Sequence, residues 1–144
     1  MWGRLLLAID HSDSGQVALE FTARLAADAA SEVCVFHVRE VPTNIRAVPL
    51  ENLAEAQLVV EEALSYLRLA GLGAEGRLCS APDEYVASRI VEASAEWQCG
   101  AIVLGSRRLR GLGRLSGRGV RERVLRLSDL PVITAPTPVY ERAS

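Results

Sequence analysis

Short apolar runs alternate along this chain with longer segments in which apolar residues recur every three or four positions. The short runs predict five β-strands, over residues 4–9, 32–38, 75–80, 101–105 and 131–135. Nearly continuous apolar character is typical of strands in a parallel sheet that is buried on both faces. The alternation of strands and helices therefore predicts an α/β fold, an open parallel sheet with helices on both faces.

The longer segments predict four helices, at about residues 13–30, 50–70, 80–97 and 116–127. The first helix can begin with a capping box of Asp13 and Gln16. Gly71 ends the second helix, because glycine readily adopts the backbone conformation that follows a helix. Ser80 is the candidate cap of the third helix, with Pro82 in its first turn.

The apolar residues of these helices fall on one stripe each, and we interpret the stripes as core packing. They comprise Val17, Phe21, Leu25 and Ala29; Leu53, Val60, Leu64 and Leu67; Val86, Ile90 and Trp97; and Val120, Val124 and Leu127. The segment 40–49 contains two prolines and is predicted to be a surface loop between a strand and a helix.

Composition bounds the class of protein. The chain has 144 residues, of which 49% are hydrophobic and 24% are charged, so we expect one globular domain over residues 1–144 with a C-terminal tail at 136–144. All 16 basic residues are arginines. The absence of lysine excludes P-loop NTPases, Schiff-base enzymes and pyridoxal phosphate enzymes, since each depends on a lysine ammonium.

Three cysteines and two histidines are too few and too scattered to indicate a disulfide framework or a metal site. Cys34 and His37 lie three apart on a predicted strand and therefore point to opposite faces, so we expect His37 to be a buried, hydrogen-bonded histidine rather than a catalytic partner. We find no catalytic set. The apolar run that ends at Asp10 is too short for a signal peptide, and no run is long enough to span a membrane, so we expect a cytoplasmic protein.

Polar residues follow several of the predicted strands. In open parallel sheets, ligands bind beyond the carboxyl ends of the strands, where two loops diverge. Asp10 ends the first strand, Val38 ends the second and Gly105 ends the fourth. Asp10 can accept hydrogen bonds from a ligand, or it can help Asp13 to cap the first helix. Position alone leaves both roles open.

A glycine- and arginine-rich segment follows the fourth strand. Residues 107–126 contain eight arginines and one acid, a net charge of +7, while the rest of the chain carries −9. Glycines let the backbone press its amides against phosphate oxygens, and a helix start adds the positive end of a dipole. The segment is therefore a candidate anion site, and the alternative is a flexible surface loop followed by a solvated basic helix face.

Six segments of the chain resemble the universal stress protein family. They are residues 5–10 (LLLAID), 35–38 (VFHV), 101–106 (AIVLGS), 111–115 (GLGRL), 120–125 (VRERVL) and 131–134 (PVIT). The resemblance implies a Rossmann-like sheet of the adenine nucleotide alpha hydrolase type, with strand order 3-2-1-4-5 and a ligand crevice between the first and fourth strands. It also implies a homodimer formed through the last strand, 131–135.

Family members that bind ATP carry the pattern Gly-x2-Gly-x9-Gly-Ser/Thr after the fourth strand, and the resemblance implies that this loop holds the phosphates. Here Gly105 keeps the first glycine, whereas Arg108, Arg118 and Gly119 occupy the other three positions. An arginine forced into left-handed geometry costs about 1–2 kcal/mol and fills the space that a phosphate needs. Arginine side chains can instead grip an anion directly.

The candidate ligand-binding residues are therefore Asp10, Val38, Gly105, Arg107, Arg108, Arg118, Gly119 and Val120. Our leading hypothesis is a non-catalytic, dimeric member of the family with lost or altered ATP binding that acts through a protein partner. The alternative is a regulator that still holds ATP, with magnesium, or another adenine nucleotide in the crevice.

Two further expectations concern partners. The segment 107–126 contains no aromatic residue to stack on a base, so we do not expect nucleic acid binding. The edge strand 131–135 favours a dimer, because an uncovered apolar edge usually finds a partner. Pro136, Pro138 and the tail would cap that edge in a monomer.

Overall fold

A computed structural model describes residues 2–10, 13–43, 48–49, 51–105 and 119–136, with the backbone alone at 13 and 14. The elements are β1 (Arg4–Ala8), α1 (Asp13–Ala29), β2 (Glu32–Glu40), α2 (Leu53–Leu69), β3 (Ala74–Ala81), a 3-10 turn (Asp83–Tyr85), α3 (Val86–Glu96), β4 (Ala101–Leu104), α4 (Val120–Leu127) and β5 (Val132–Thr134). The five strands form one sheet in the order β3-β2-β1-β4-β5. Every strand pair is parallel, which confirms the predicted fold class.

The apolar runs form the buried centre of the sheet. Leu5, Leu6 and Leu7 of β1 have no exposed surface, and β4 is buried along its whole length. Leu5 and Leu7 pack with α1 and α2 on one face, and Leu6 packs with α3 and α4 on the other. Burial on both faces explains why these strands lack an alternation of apolar and polar residues.

The predicted core positions of α2 are confirmed at Val60 and Leu67, and two alanines also face the sheet. Its buried positions are Ala56, Val60, Ala63 and Leu67. The prediction that Leu53 lies in the core is wrong, since Leu53 is 53% exposed at the first turn. On the strand side of this contact, a Cβ atom at Gly76 of β3 would lie only 2.6 Å from Val60 Cγ1. Glycine therefore allows the close approach of helix and strand.

The buried stripe of α1 is rotated from its predicted position. The predicted residues Val17, Phe21, Leu25 and Ala29 are only half-buried, whereas Ala18, Thr22 and Ala26 are completely buried. The Thr22 hydroxyl donates to the Ala18 carbonyl oxygen at 2.7 Å, which satisfies its polar group inside the core. The larger apolar residues therefore flank the contact, and the small residues lie at its centre.

The beginning of α3 differs from the prediction. Ser80 is not its cap, because it is part of β3 and pairs in register with Arg39 of β2. The chain continues as a strand to Ala81 and turns through the 3-10 segment before α3 begins at Val86. Hydrogen bonding of β3 along the whole of β2 outweighs the local capping preference of serine.

The inward residues of α3 are confirmed, and those of α4 are confirmed in part. Val86, Ile90 and Trp97 are all buried, and the ring of Trp97 makes an edge-to-face contact with Phe36 at 6.4 Å between centroids. Val124 of α4 is also buried, but the prediction for Leu127 is wrong, since that side chain is 53% exposed.

Cys34 and His37 face opposite sides of the sheet, as predicted. Cys34 is buried beneath α3, where its thiol hydrogen-bonds to the sulfur of Cys99. That hydrogen bond and burial raise the pKa of Cys34 far above the ordinary thiol value of 9.0. The same hydrogen bond lowers the pKa of Cys99 against the opposing effect of burial. The contact between the two thiols therefore moves their pKa values in opposite directions.

In the part of the chain described here, no helix is long and apolar enough to cross a membrane.

Candidate functional site

Three of the predicted site residues lie at the carboxyl ends of neighbouring strands. Asp10 follows β1 and is half-buried, Val38 lies near the end of β2, and Gly105 directly follows β4. The register pairs Ala8 with Phe36 and with Leu104, so the residues after these positions share one edge of the sheet. This edge is the switch point of the sheet, since α1 leaves β1 on one face and α3 approaches β4 on the other.

The backbone of Val38 is directed toward the end of β1. The Ile9 amide donates to the Phe36 carbonyl oxygen at 2.9 Å, which is the last described backbone bond between β1 and β2. Because alternate residues of a strand turn their amides and carbonyls to the same neighbour, Val38 faces the same side as Phe36. At the level of Val38, β1 has already ended and the chain turns toward α1.

Asp10 lies against the first turn of α1. A Cβ atom at Gly15 would overlap the Asp10 carbonyl oxygen and lie 3.0 Å from its Oδ1 atom. Glycine is therefore required for the chain to turn this closely around Asp10. The carboxylate adjoins both the start of α1 and the edge of the sheet, so the geometry is compatible with both roles proposed for Asp10.

The remaining predicted site residues are described only in part. Gly119 precedes α4 with φ −69° and ψ 164°, and Val120 is the first residue of that helix. A Cβ atom at Gly119 would meet no atom of the described residues within 4 Å. Arg107, Arg108 and Arg118 lie outside the described residues, as does the side chain of Asp13 in the predicted capping box. Its predicted partner Gln16 donates to Glu20 Oε1 at 3.4 Å.

The structure adds a buried polar pair that the sequence did not indicate. His37 of β2 is 3% exposed and Glu51, just before α2, is 7% exposed. The His37 Nε2 atom lies 2.5 Å from Glu51 Oε1, and its Nδ1 atom lies 2.6 Å from the Ile9 carbonyl oxygen. The buried, hydrogen-bonded state predicted for His37 is thereby confirmed. The sequence did not predict Glu51 as the partner of His37, because nothing in the local sequence links the two residues.

Two contacts hold Glu51 in this position. The Arg39 Nε donates to the Glu51 carbonyl oxygen at 3.1 Å. The next residue, Asn52, caps α2 and forms a capping box with Glu55, with hydrogen bonds of 2.8 and 2.9 Å. The connection between β2 and α2, predicted as a surface loop, is therefore anchored at its end by a buried side chain and a helix cap.

No group of three or more metal-ligating side chains occurs among the residues that the structure describes. Both ring nitrogens of His37 are engaged in hydrogen bonds, so the ring is not placed to take a proton from a bound molecule. Among the described residues, this edge of the sheet presents backbone groups and the Asp10 carboxylate, which are suited to holding a polar ligand.

Comparison with known proteins identifies the family. The sequence model of the universal stress protein family matches residues 1–136. The universal stress protein YxiE of Bacillus subtilis (strain 168) is 31% identical over 145 residues, covering 92% of this chain and 98% of that protein. The chain belongs to the universal stress protein family.

Solved structures agree with this assignment. A member of the universal stress protein family from Burkholderia pseudomallei has a TM-score of 0.71 and 26% identity, with 94% of this universal stress protein and 97% of the other chain covered. The universal stress protein of Archaeoglobus fulgidus in complex with dAMP has a TM-score of 0.69 and 26% identity, with coverage of 94% and 98%. The fold of the family and that of this chain are therefore the same over nearly their whole length.

Proposed function

We propose that this universal stress protein is a non-catalytic regulator that holds an adenine nucleotide with few phosphates, such as AMP, at the carboxyl ends of β1, β2 and β4. In this proposal the ATP-binding loop of the family is altered rather than conserved, and the bound protein acts as a dimer on a protein partner.

The observation that carries the proposal is the direction of the Val38 backbone toward the edge where β1 has ended, beside Asp10. A backbone amide and carbonyl side by side match the donor and acceptor edge of a nucleobase, and a carboxylate matches sugar hydroxyls. The dAMP complex of the Archaeoglobus fulgidus relative supports an adenine nucleotide as the ligand.

The departures in the glycine pattern favour a short phosphate chain. With Arg108 and Arg118 at two glycine positions, the loop has lost the backbone approach that a triphosphate uses. The guanidinium groups of Arg107, Arg108 and Arg118 offer paired donors that suit a single phosphate group. A nucleoside monophosphate therefore fits the sequence better than ATP with magnesium does.

We propose that the protein is not a catalyst because of the groups found at this carboxyl edge of the sheet. Hydrolysis or group transfer needs a nucleophile, a base or a metal next to the ligand. His37, the histidine that the described part of the chain places near this edge, is occupied at both nitrogens. The crevice thus supports binding, and the consequence of binding would be transmitted to a partner.

The first experiment identifies the small molecule released on denaturation of gently purified protein by mass spectrometry, followed by calorimetric titration with AMP and with ATP and magnesium. We expect AMP to bind more tightly than ATP. Asp10→Asn should weaken AMP binding by about tenfold, because it replaces a charged acceptor of the sugar hydroxyls with a neutral amide. Asp28→Asn, an exposed change at the far end of α1, should have no effect. A protein that is purified without a bound nucleotide and binds neither AMP nor ATP refutes the proposal.

A triple variant tests the altered loop. Arg108→Gly, Arg118→Gly and Gly119→Ser together restore the family pattern, and no atom of the described residues stands in the way of a serine side chain at position 119. We expect a gain in ATP affinity with little change in AMP affinity. If ATP affinity does not rise in a variant that still binds AMP, the phosphate loop is not what limits ATP binding.

Dimer formation is supported by the free edge of β5. This strand pairs only with β4 among the described strands, and its Val132 and Ile133 side chains are half-buried. Leu125 and Leu127 of the adjoining helix α4 are both more than half exposed. An apolar strand edge flanked by exposed leucines suits pairing with a second copy.

A further inference from the structure

We propose that His37 and Glu51 are positioning residues that end the β1–β2 hydrogen-bond ladder early and so keep the Val38 amide available to the ligand. This inference rests on the proposed function, since it explains how the adenosine half of the site is kept open. It assigns a role to a buried pair that contributes no group to the ligand itself.

The argument starts from the order of bonds in a parallel ladder. The Ile9 amide donates to Phe36 O, and in a regular continuation the Ile9 carbonyl would next accept from the Val38 amide. Instead, the Ile9 carbonyl accepts from the ring nitrogen Nδ1 of His37 at 2.6 Å. Among the described residues, no backbone bond joins Val38 to β1. A side chain thus replaces the backbone donor at the last position of the ladder.

The positions of the protons in the His37–Glu51 pair follow from the atoms that accept the hydrogen bonds. A carbonyl oxygen can only accept, so Nδ1 must carry a proton. The contact of 2.5 Å between Nε2 and Glu51 Oε1 requires a second proton between them. Whether this proton resides on the ring or on the carboxyl group, the pair has no net charge, which makes its burial energetically tolerable.

Glu51 orients the ring. An imidazole held at one nitrogen can rotate about its side-chain bonds, whereas a ring held at both nitrogens has one orientation. Arg39 and the capped start of α2 hold the backbone at Glu51 in turn. The ring of His37, the residue before Val38, therefore links the connection between β2 and α2 to Ile9, the residue before Asp10.

The decisive comparison uses two double variants that differ in one donor. His37→Leu with Glu51→Leu removes the pair without leaving a buried charge, so the Ile9 carbonyl becomes available to the Val38 amide. His37→Asn with Glu51→Leu places an amide nitrogen where Nδ1 was, so a side-chain donor to the Ile9 carbonyl is kept. Ser94→Ala, which removes a buried hydroxyl of α3 bonded to the Val91 carbonyl, controls for loss of stability.

The first readout needs no ligand. Amide hydrogen exchange followed by NMR should show the Val38 amide better protected in the leucine variant than in the wild type, relative to the global stability of each protein. The asparagine variant and Ser94→Ala should leave it unprotected. A Val38 amide that is already protected in the wild type, or equally exposed in both double variants, overturns the proposal.

The second readout is affinity for adenosine, which engages the crevice without phosphates. We expect the leucine variant to bind about tenfold more weakly than the asparagine variant, because its binding-competent state is populated less. Equal affinities overturn the positioning role. If the wild type binds no adenosine, the proposed function fails, and hydrogen exchange still decides whether His37 keeps the ladder open.

Discussion

At the scale of single residues, two positions show how contacts set the local geometry of the protein. Gly15 lies in α1, where glycine is an unfavourable residue, yet a Cβ atom there would overlap the Asp10 carbonyl oxygen. Cys34 and Cys99 share a hydrogen bond in the buried layer beneath α3. In both cases the close approach was invisible in the sequence, because no local pattern links Gly15 to the Asp10 carbonyl oxygen or Cys34 to Cys99.

Gly15→Ala should destabilise the protein. Alanine improves helix propensity by about 0.5–1 kcal/mol, but the overlap with Asp10 costs about 1–3 kcal/mol and outweighs that gain. We expect a net loss of about 1 kcal/mol in the free energy of unfolding, measured by urea denaturation. Gly119→Ser adds a side chain in open space and should be neutral or slightly stabilising. A more stable Gly15→Ala protein would contradict the tight turn.

The cysteine pair predicts a loss of stability in alkaline solution. The pKa of Cys34 is raised in the folded protein, so above the ordinary thiol value of 9.0 the unfolded chain loses a proton that the folded protein retains. Cys99, whose pKa is lowered, gives up its proton first in the folded protein, so above pH 9.0 the folded pair keeps one proton while the unfolded chain has lost both. The stabilisation from that retained proton is lost as the pH rises above 9.0. One retained proton corresponds to about 1.4 kcal/mol per pH unit.

The measurement is the free energy of unfolding between about pH 8 and pH 10, for the wild type and the double variant Cys34→Ala with Cys99→Ala. The double variant should be less stable at neutral pH and should show a shallower alkaline decline. Burial also raises the pKa of Cys79. Because Cys79 remains in both proteins, it contributes equally to both pH profiles. Parallel pH profiles would show that the pair does not retain the proton.

At the scale of elements, the hydrophobic pattern predicts the strands to within two residues and the helices less exactly. Helix starts are the weakest point, since α2 begins at Leu53 after its cap Asn52 and α3 follows a strand that runs through the predicted cap at Ser80. The α1 stripe is also rotated, because Ala18, Thr22 and Ala26 rather than the larger predicted residues lie where that helix meets the sheet. These features depend on which neighbour each element packs against, and the local pattern does not contain that information.

Asn52→Ala should destabilise α2 by about 1 kcal/mol, because it removes the side-chain acceptor for the Glu55 amide. Asn52→Asp keeps an acceptor at the helix start and should remain close to the wild type. Thermal unfolding followed by circular dichroism compares the three proteins. Equal midpoints for the alanine and aspartate variants would mean that the cap contributes little.

At the scale of the whole molecule, the sheet has one long edge at β3 and one short edge at β5. The β3 edge carries charged residues, and Arg77 lies over the Trp97 ring at 4.4 Å and forms an ion pair with Glu96. Charged side chains discourage pairing along an exposed strand. The β5 edge has no such charges within the strand, which is why the proposed dimer uses that side of the sheet.

A proline at the edge tests this dimer. Pro131 and Ala135 bond to β4 through their backbones, so Val132 and Thr134 direct theirs to the free side. Thr134→Pro removes an outward amide, and edge strands tolerate such a proline. Thr134→Val keeps the amide. Light scattering at micromolar concentration should find a dimer for the wild type and Thr134→Val, and a monomer for Thr134→Pro. A monomeric wild type contradicts the proposal.

By itself, the sequence determined the succession of five strands and four helices, the two-sided burial of the sheet and the strand ends that carry Asp10, Val38 and Gly105. These follow from periodicity and local residue preferences, and the motifs added the family and its strand order. Only the tertiary structure decided the pairing of His37 with Glu51, the coupling of Cys34 with Cys99 and the early end of the β1–β2 ladder. Each depends on atoms from segments distant in sequence meeting at hydrogen-bond distance, which strand register and helix packing set together.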